Sequence, residues 1–106
     1  MLEYRVVVQP EGERNITVIL SRIAARSAQG AGRWYQALSK AIERLRLHAD
    51  SLPLAPESRH FDFEIRELLF KTRRGLPYRI LFTIQQTEVH VLFVRGPGQD
   101  WVQNPD

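Results

Sequence analysis

Apolar positions along the chain follow two different rhythms, and the change of rhythm marks the elements. Tyr4 to Gln9 (YRVVVQ) is short, β-branched and stopped by Pro10, which predicts a strand. Glu11 and Glu13 then supply the acidic first turn that suits a helix N-terminus. Ile16, Ile19, Leu20 and Ile23 follow at i, i+3, i+4 and i+7, one apolar face of a helix ending near Ala28. Gln29-Gly30-Ala31-Gly32 breaks that pattern, and a second helix starts around Arg33. Trp34, Leu38, Ile42 and Leu45 repeat at helical spacing, with Ala37 and Ala41 on the same side and Gln36, Lys40, Glu43 and Arg44 outside. So short a connection makes the two helices an antiparallel hairpin.

Asp50 to His60 holds Pro53 and Pro56 and has no periodicity, so it reads as a loop. Three strand-like runs follow with no helix between them: Glu64–Phe70, Tyr78–Ile84 and Glu88–Arg95. Their connections are too short for a parallel crossover, so these strands are antiparallel neighbours. The expected fold is α+β, in the order β-α-α-β-β-β, with a helical hairpin packed on a mainly antiparallel sheet. Gly96-Pro97-Gly98 ends the last strand and leaves an irregular tail, 96–106, in which Trp101 and Val102 are placed to dock on the surface. No repeat or linker divides the chain, so 1–106 reads as a single domain.

Composition changes this picture in three ways. The absence of Cys excludes disulfides, thiolate metal sites and Cys nucleophiles. The N-terminus lacks a basic segment followed by an apolar one, and no apolar run approaches the ~20 residues that span a bilayer. The chain therefore reads as complete and cytoplasmic, with no membrane partner. Thirteen of its fifteen cationic residues are Arg, whose planar fork of donors suits carboxylate and phosphate.

Placement of the cations says more than their number. From Leu68 to Thr87 there are Lys71, Arg73, Arg74 and Arg79 and no acidic residue. Arg79 lies inside an otherwise apolar strand, so it is either on an open sheet face or paired, since an unpartnered buried charge is costly. A three-residue loop at Gln85-Gln86-Thr87 sets Ile84 opposite Glu88 and Arg79 opposite Phe93, and puts Arg79 and Arg95 on one face. A two- or four-residue loop reverses that parity. On the first arrangement Arg79 and Arg95, flanked by the basic loop, form a surface for an anionic ligand. The structural alternative is that Glu64 or Glu67 on the adjacent strand neutralises these Arg side chains.

Proton-transfer candidates are few. His48 ends the second helix, where a cation suits the negative end of the dipole. His60 lies in a loop, and His90, an odd number of residues from Arg95, faces the opposite side of the sheet. No His, Asp and Glu cluster has metal-ligand spacing, no Gly-rich loop follows a strand, and Glu57, Glu64 and Glu67 read as isolated surface carboxylates. No metal or small-molecule cofactor is implied.

The ordered runs R-N-I-x-x-I-L-S-R-I-A, A-G-R-W-Y-Q-A-L-S-K-A-I, E-I-R-E-L, Y-R-I-L-F-T-I and V-L-F-V-R-G resemble the RelE/ParE superfamily of bacterial toxins, from Tyr4 to Gly96. The resemblance implies a helical hairpin on a compact sheet, in agreement with the order read above. It implies the toxin half of a type II toxin–antitoxin module, neutralised by a cognate antitoxin protein. It also offers two targets, and fold does not choose between them. RelE-like members cut messenger RNA on the ribosome with basic residues on the sheet face, and ParE-like members poison DNA gyrase. By position Arg79 matches the strand Arg with which nuclease members hold the scissile phosphate, and Arg66 and Arg95 are further matches. With Arg73 and Arg74 these make up the expected target- or phosphate-binding set.

Where nuclease members carry a His or Tyr after the last strand, this chain reads Arg95-Gly96-Pro97. Arg stays protonated and shuttles protons poorly, so no catalytic residue is assigned; Arg79 is the candidate if the chain is a nuclease. The balance falls on gyrase inhibition, with ribosome-dependent RNA cleavage as the alternative and a non-toxic binding module on the same fold as the third reading.

Overall fold

The computed structural model describes residues 2–97. Strand β1 (Arg5–Val8) leads through Pro10 into helix α1 (Pro10–Ala24), because a proline with its fixed φ and missing N–H fits a helix's first turn. Glu11 and Glu13 sit in that turn. Helix α2 runs over Ala28–His48. Two short 3-10 turns, Ala49–Ser51 and Pro56–His60, lead to β2 (Arg66–Phe70), β3 (Tyr78–Gln85) and β4 (Glu88–Arg95). The expected α+β order is present. The tail carrying Trp101 and Val102 lies outside the described residues.

β2 begins at Arg66 rather than Glu64, and both helix boundaries at the hairpin differ from the expectation. The first helix stops at Ala24 rather than near Ala28, and Gln29-Gly30-Ala31-Gly32 is the first turn of α2 rather than the break. Ser27 is the reason: its backbone is extended and its hydroxyl accepts the Gly30 N–H at 2.9 Å, capping α2. A glycine-rich stretch costs helix stability, and here the cap and the tertiary contacts of α2 outweigh that cost.

The four strands form one sheet in the order β1-β4-β3-β2. β2, β3 and β4 make the expected antiparallel meander, and β1 adds to β4 in parallel, so the sheet is mixed. The helical hairpin covers one face. Trp34, Leu38, Ala41 and Leu45 of α2 and Ile19 of α1 pack there on Ile80, Phe82, Val89, Val91 and Val94. Gly12 lets α1 approach β4 closely: a Cβ there would stand 3.1 Å from both the Val91 carbonyl and Val8 Cγ1.

Parity across β3 and β4 is set by two features that offset each other. The connection is a two-residue turn, Gln86-Thr87, with Gln85 opposite Glu88 and Gln86 at φ 58°. A β-bulge then places Leu81 opposite Phe93 but Phe82 opposite Val91, leaving Leu92 as the extra residue. The Val94 N–H beyond the bulge donates to Asn15 Oδ1 of α1 at 3.0 Å, so the irregularity is tied down from the helical layer. The result is that Arg79 stands directly opposite Arg95. The shared face proposed for that pair is present, by a two-residue turn and a bulge instead of a three-residue loop. The same bulge overturns the expectation for His90: it stands opposite Thr83 and so lies on the same face as Arg79 and Arg95.

Candidate functional site

The sheet face turned away from the helices carries two of the predicted basic residues, Arg79 and Arg95. It is partly roofed by the chain between α2 and β2. Ala55, Ile65 and Leu81 form a small second core there, with Phe61, Leu92 and Phe93 against it. The roof is pinned by backbone bonds from Ala55 N–H to the Ile65 carbonyl (2.8 Å) and from Glu67 N–H to the Pro53 carbonyl (3.0 Å). It also receives the Thr83 hydroxyl, which donates to the Glu64 carbonyl at 2.8 Å.

Arg79 is held under this roof. Its Nη1 and Nη2 donate to the two carboxylate oxygens of Glu57 at 2.9 and 2.7 Å, and its Nε donates to Glu67 at 3.0 Å. The Glu57 side chain is 1 % exposed and that of Arg79 19 %. Glu57 was expected on the surface; Pro56 and the 3-10 turn instead carry it inward onto the sheet, where the guanidinium compensates its burial. The Arg79 pKa is raised from its ordinary value, first by the hydrogen bond to Glu57 and also by that to Glu67, so the group is a permanent cation facing two carboxylates. Paired by Glu67, as the structural alternative had it, and still more by Glu57, Arg79 is spoken for.

The other predicted residues do not converge on it. Arg66 donates to the Leu52 carbonyl and lies 3.8 Å from Glu64, so it fastens the roof to β2. Arg95 lies over the Phe93 ring at 5.7 Å, and its Nε is buried without a hydrogen-bond partner among the described residues. Arg73 and Arg74 stand exposed in the β2–β3 connection, as solvated loop residues do.

His90 belongs to a separate chain of polar contacts at the other end of the face. Its Nδ1 lies 3.0 Å from Gln9 Nε2, its Nε2 lies 2.9 Å from Glu88, and Glu88 lies 3.6 Å from Arg5. Thr83, opposite His90, is four residues from Arg79, or ~13 Å along a strand. A His and an Arg so separated, each already engaged, do not make a joint acid–base and phosphate site. Sequence reasoning missed this grouping because it set His90 against Arg95 along an unbroken strand, and the bulge between them leaves no sequence mark.

A second group joins cations that the sequence presents as ordinary helix surface to the basic loop after β2. Arg33, Lys40 and Arg44 of α2 face Lys71 and Arg73 across a groove of about 420 Å³ between α2 and β2. Their spacing of seven and four residues along α2 was the available signal. Among the described residues, no group of three or more His, Cys, Asp or Glu is placed to hold a metal ion. No helix among them is long and apolar enough to cross a membrane.

No family model and no curated protein matches the chain by sequence. In three dimensions it is similar to a chain of the chromosomal ParDE TA system from P. aeruginosa, with a TM-score of 0.66 over 89 % of this chain and 96 % of that one. The two are 13 % identical, so the likeness is one of fold. The fold is ParE-like: an N-terminal strand, two helices and a three-stranded antiparallel meander in one mixed sheet.

Proposed function

We propose that this chain is the toxin of a bacterial type II toxin–antitoxin pair, that a cognate antitoxin neutralises it, and that it acts by ParE-like inhibition of DNA gyrase. The fold likeness to a ParDE chain supports the first part of this reading. The observation that carries the choice of target is the engagement of Arg79. A guanidinium that holds a scissile phosphate must offer free donors to it. Here three of its five N–H donors, one each on Nε, Nη1 and Nη2, go to Glu57 and Glu67, and the two carboxylates would repel a phosphate brought close. His90, the imidazole on that face, is occupied by Gln9 and Glu88 at a distance from Arg79. The remaining basic surface suits binding better than proton transfer.

Induced expression of the chain alone tests this reading. Growth arrest with full-length messenger RNA, relieved by co-expression of a short reading frame found beside the gene, is the expected result. Arrest with RNA cut within codons would move the assignment to ribosome-dependent cleavage. Unimpeded growth would leave a binding module on a toxin fold.

A further inference from the structure

The turn of the helical hairpin leaves a cleft against the end of the sheet. Two adjoining cavities make it up, of about 340 and 320 Å³, with Ile23, Tyr78 and Pro97 in the walls of both. Arg22 and Arg26, in the last turn of α1 and just beyond it, line the first cavity, and Arg33 of α2 lines the second. All three are exposed, and none has an ion pair among the described residues. Neither cavity has an acidic residue in its described lining. Ser27 and Gly30 open the start of α2 onto the same cleft, and the first turn of that helix holds no acidic residue to meet its positive end.

The apolar wall is as uncovered as the basic one. Ile23 and Tyr78 are half-buried, and Leu76 in the second cavity is 68 % exposed. Trp34, only 2 % exposed, also lines that cavity, and its Nε1 has no hydrogen-bond partner among the described residues. A buried donor left unbonded is costly, so an oxygen brought into the cavity is favoured there. Pro97, the last described residue, stands in the wall of both cavities. After it the sequence reads G-Q-D-W-V-Q-N-P-D, with Asp100, Asp106, Trp101 and Val102 and no cation. Four residues of extended chain, from Pro97 to Trp101, reach ~14 Å, enough to cross either cavity.

We infer that this cleft is the seat of the chain's own residues 98–106. Trp101 and Val102 cover Ile23, Tyr78 and Leu76, the two Asp carboxylates face Arg22, Arg26 and Arg33, and a backbone carbonyl of the segment accepts the Trp34 N–H. Tethering favours this occupant over any other. A segment joined to Pro97 meets the cleft at an effective concentration on the order of millimolar, so weak contacts suffice to seat it. A small anion would neutralise the arginines and leave the apolar wall bare. The seated segment ties the hairpin turn to the end of β4, and so joins the helical layer to the sheet at the corner where neither covers the other.

NMR of the intact chain tests this. The chain has two tryptophans, so Trp101→Phe assigns the Trp101 indole signal. Nuclear Overhauser contacts from the Trp101 ring to Ile23 and Tyr78 are expected. Its indole N–H should exchange about tenfold more slowly, or slower still, than in a free peptide of residues 98–106. Arg22→Glu/Arg26→Glu should abolish the contacts and raised salt should weaken them. Arg59→Glu, exposed and outside the cleft, should leave them unchanged. Asp100→Asn/Trp101→Ala, which leaves the hairpin intact, should move the Trp34 indole signal. A Trp101 ring without contact to the cleft overturns the inference, as do contacts indifferent to Arg22→Glu/Arg26→Glu. Contacts that fade on dilution would give the cleft to the same segment of a second copy and overturn it too.

Discussion

Replacing Arg79 with Met removes three hydrogen-bond donors from two carboxylates and leaves Glu57, 1 % exposed, beneath the roof without its guanidinium. Loss of one member of a buried pair costs ~3–5 kcal/mol, because the stranded charge keeps its desolvation penalty. Against the ~5–15 kcal/mol that holds an ordinary domain together, that is a large share. The double variant Glu57→Leu/Arg79→Met strands no buried charge, since Glu67 at 21 % exposure can turn to solvent. It should therefore be more stable than the single Arg79→Met variant by about 2 kcal/mol or more, as buried pairs replaced by apolar residues usually are. Urea unfolding of the four proteins of the cycle measures the coupling directly, provided the denaturant slope stays constant. Arg79→Met within about 1 kcal/mol of the parent would place the pair in the class of exposed ion pairs and refute the roofed geometry. A double variant no better than the single would refute the claim that the stranded carboxylate is what costs.

Three further outcomes follow from particular residues. Gly12→Ala gains ~1 kcal/mol of helix propensity but drives a Cβ to 3.1 Å from the Val91 carbonyl, which is backbone and cannot swing away; with overpacking at ~1–3 kcal/mol, thermal unfolding should occur at a lower temperature than for the parent. Gln86→Gly relieves a left-handed residue at φ 58° in the two-residue turn and should stabilise by about 1 kcal/mol in the same assay; no gain would mean that the turn relaxes another way. The Glu43 carboxyl is held below its ordinary value of 4.5, chiefly by the hydrogen bond from Arg46. Its folded value being the lower, this contribution is fully present above the unfolded value and lost as pH falls through the folded one. An NMR titration should show a depressed Glu43 midpoint that Arg46→Ala returns to the ordinary range.

The legible parts of this fold were those written in local pattern. The apolar faces of Ile16–Ile23 and Trp34–Leu45, the β-branched runs and the short connections between the last three strands specify the α+β order without tertiary information. Two things escaped. Ser27 is a capping residue in the midst of small polar ones, and the glycines after it carried the louder signal, so the helix break was placed four residues late. The bulge at Leu92 has no glycine to mark it; it is fixed by Asn15 reaching over from α1, a contact between residues 79 apart. That one irregularity carries Arg95 to the face on which the two-residue turn sets His90, and stands it opposite Arg79. The candidate site was legible as a concentration of Arg around β3, and its pairing with Glu67 on the neighbouring strand was foreseeable from register. Glu57 was not, because a loop carboxylate becomes buried only when the loop folds back over the sheet.

That burial underlies the functional reading: Arg79 belongs to the structure of the roof, and the basic surface that remains is suited to binding. Supercoiling of relaxed plasmid by purified gyrase, with increasing amounts of the chain, tests this most directly. Supercoiling should fall and cleaved DNA accumulate, while messenger RNA in a translating extract stays intact at the same concentrations. Undiminished supercoiling together with RNA cut on the ribosome, and loss of that cutting in Arg79→Lys, would contradict it.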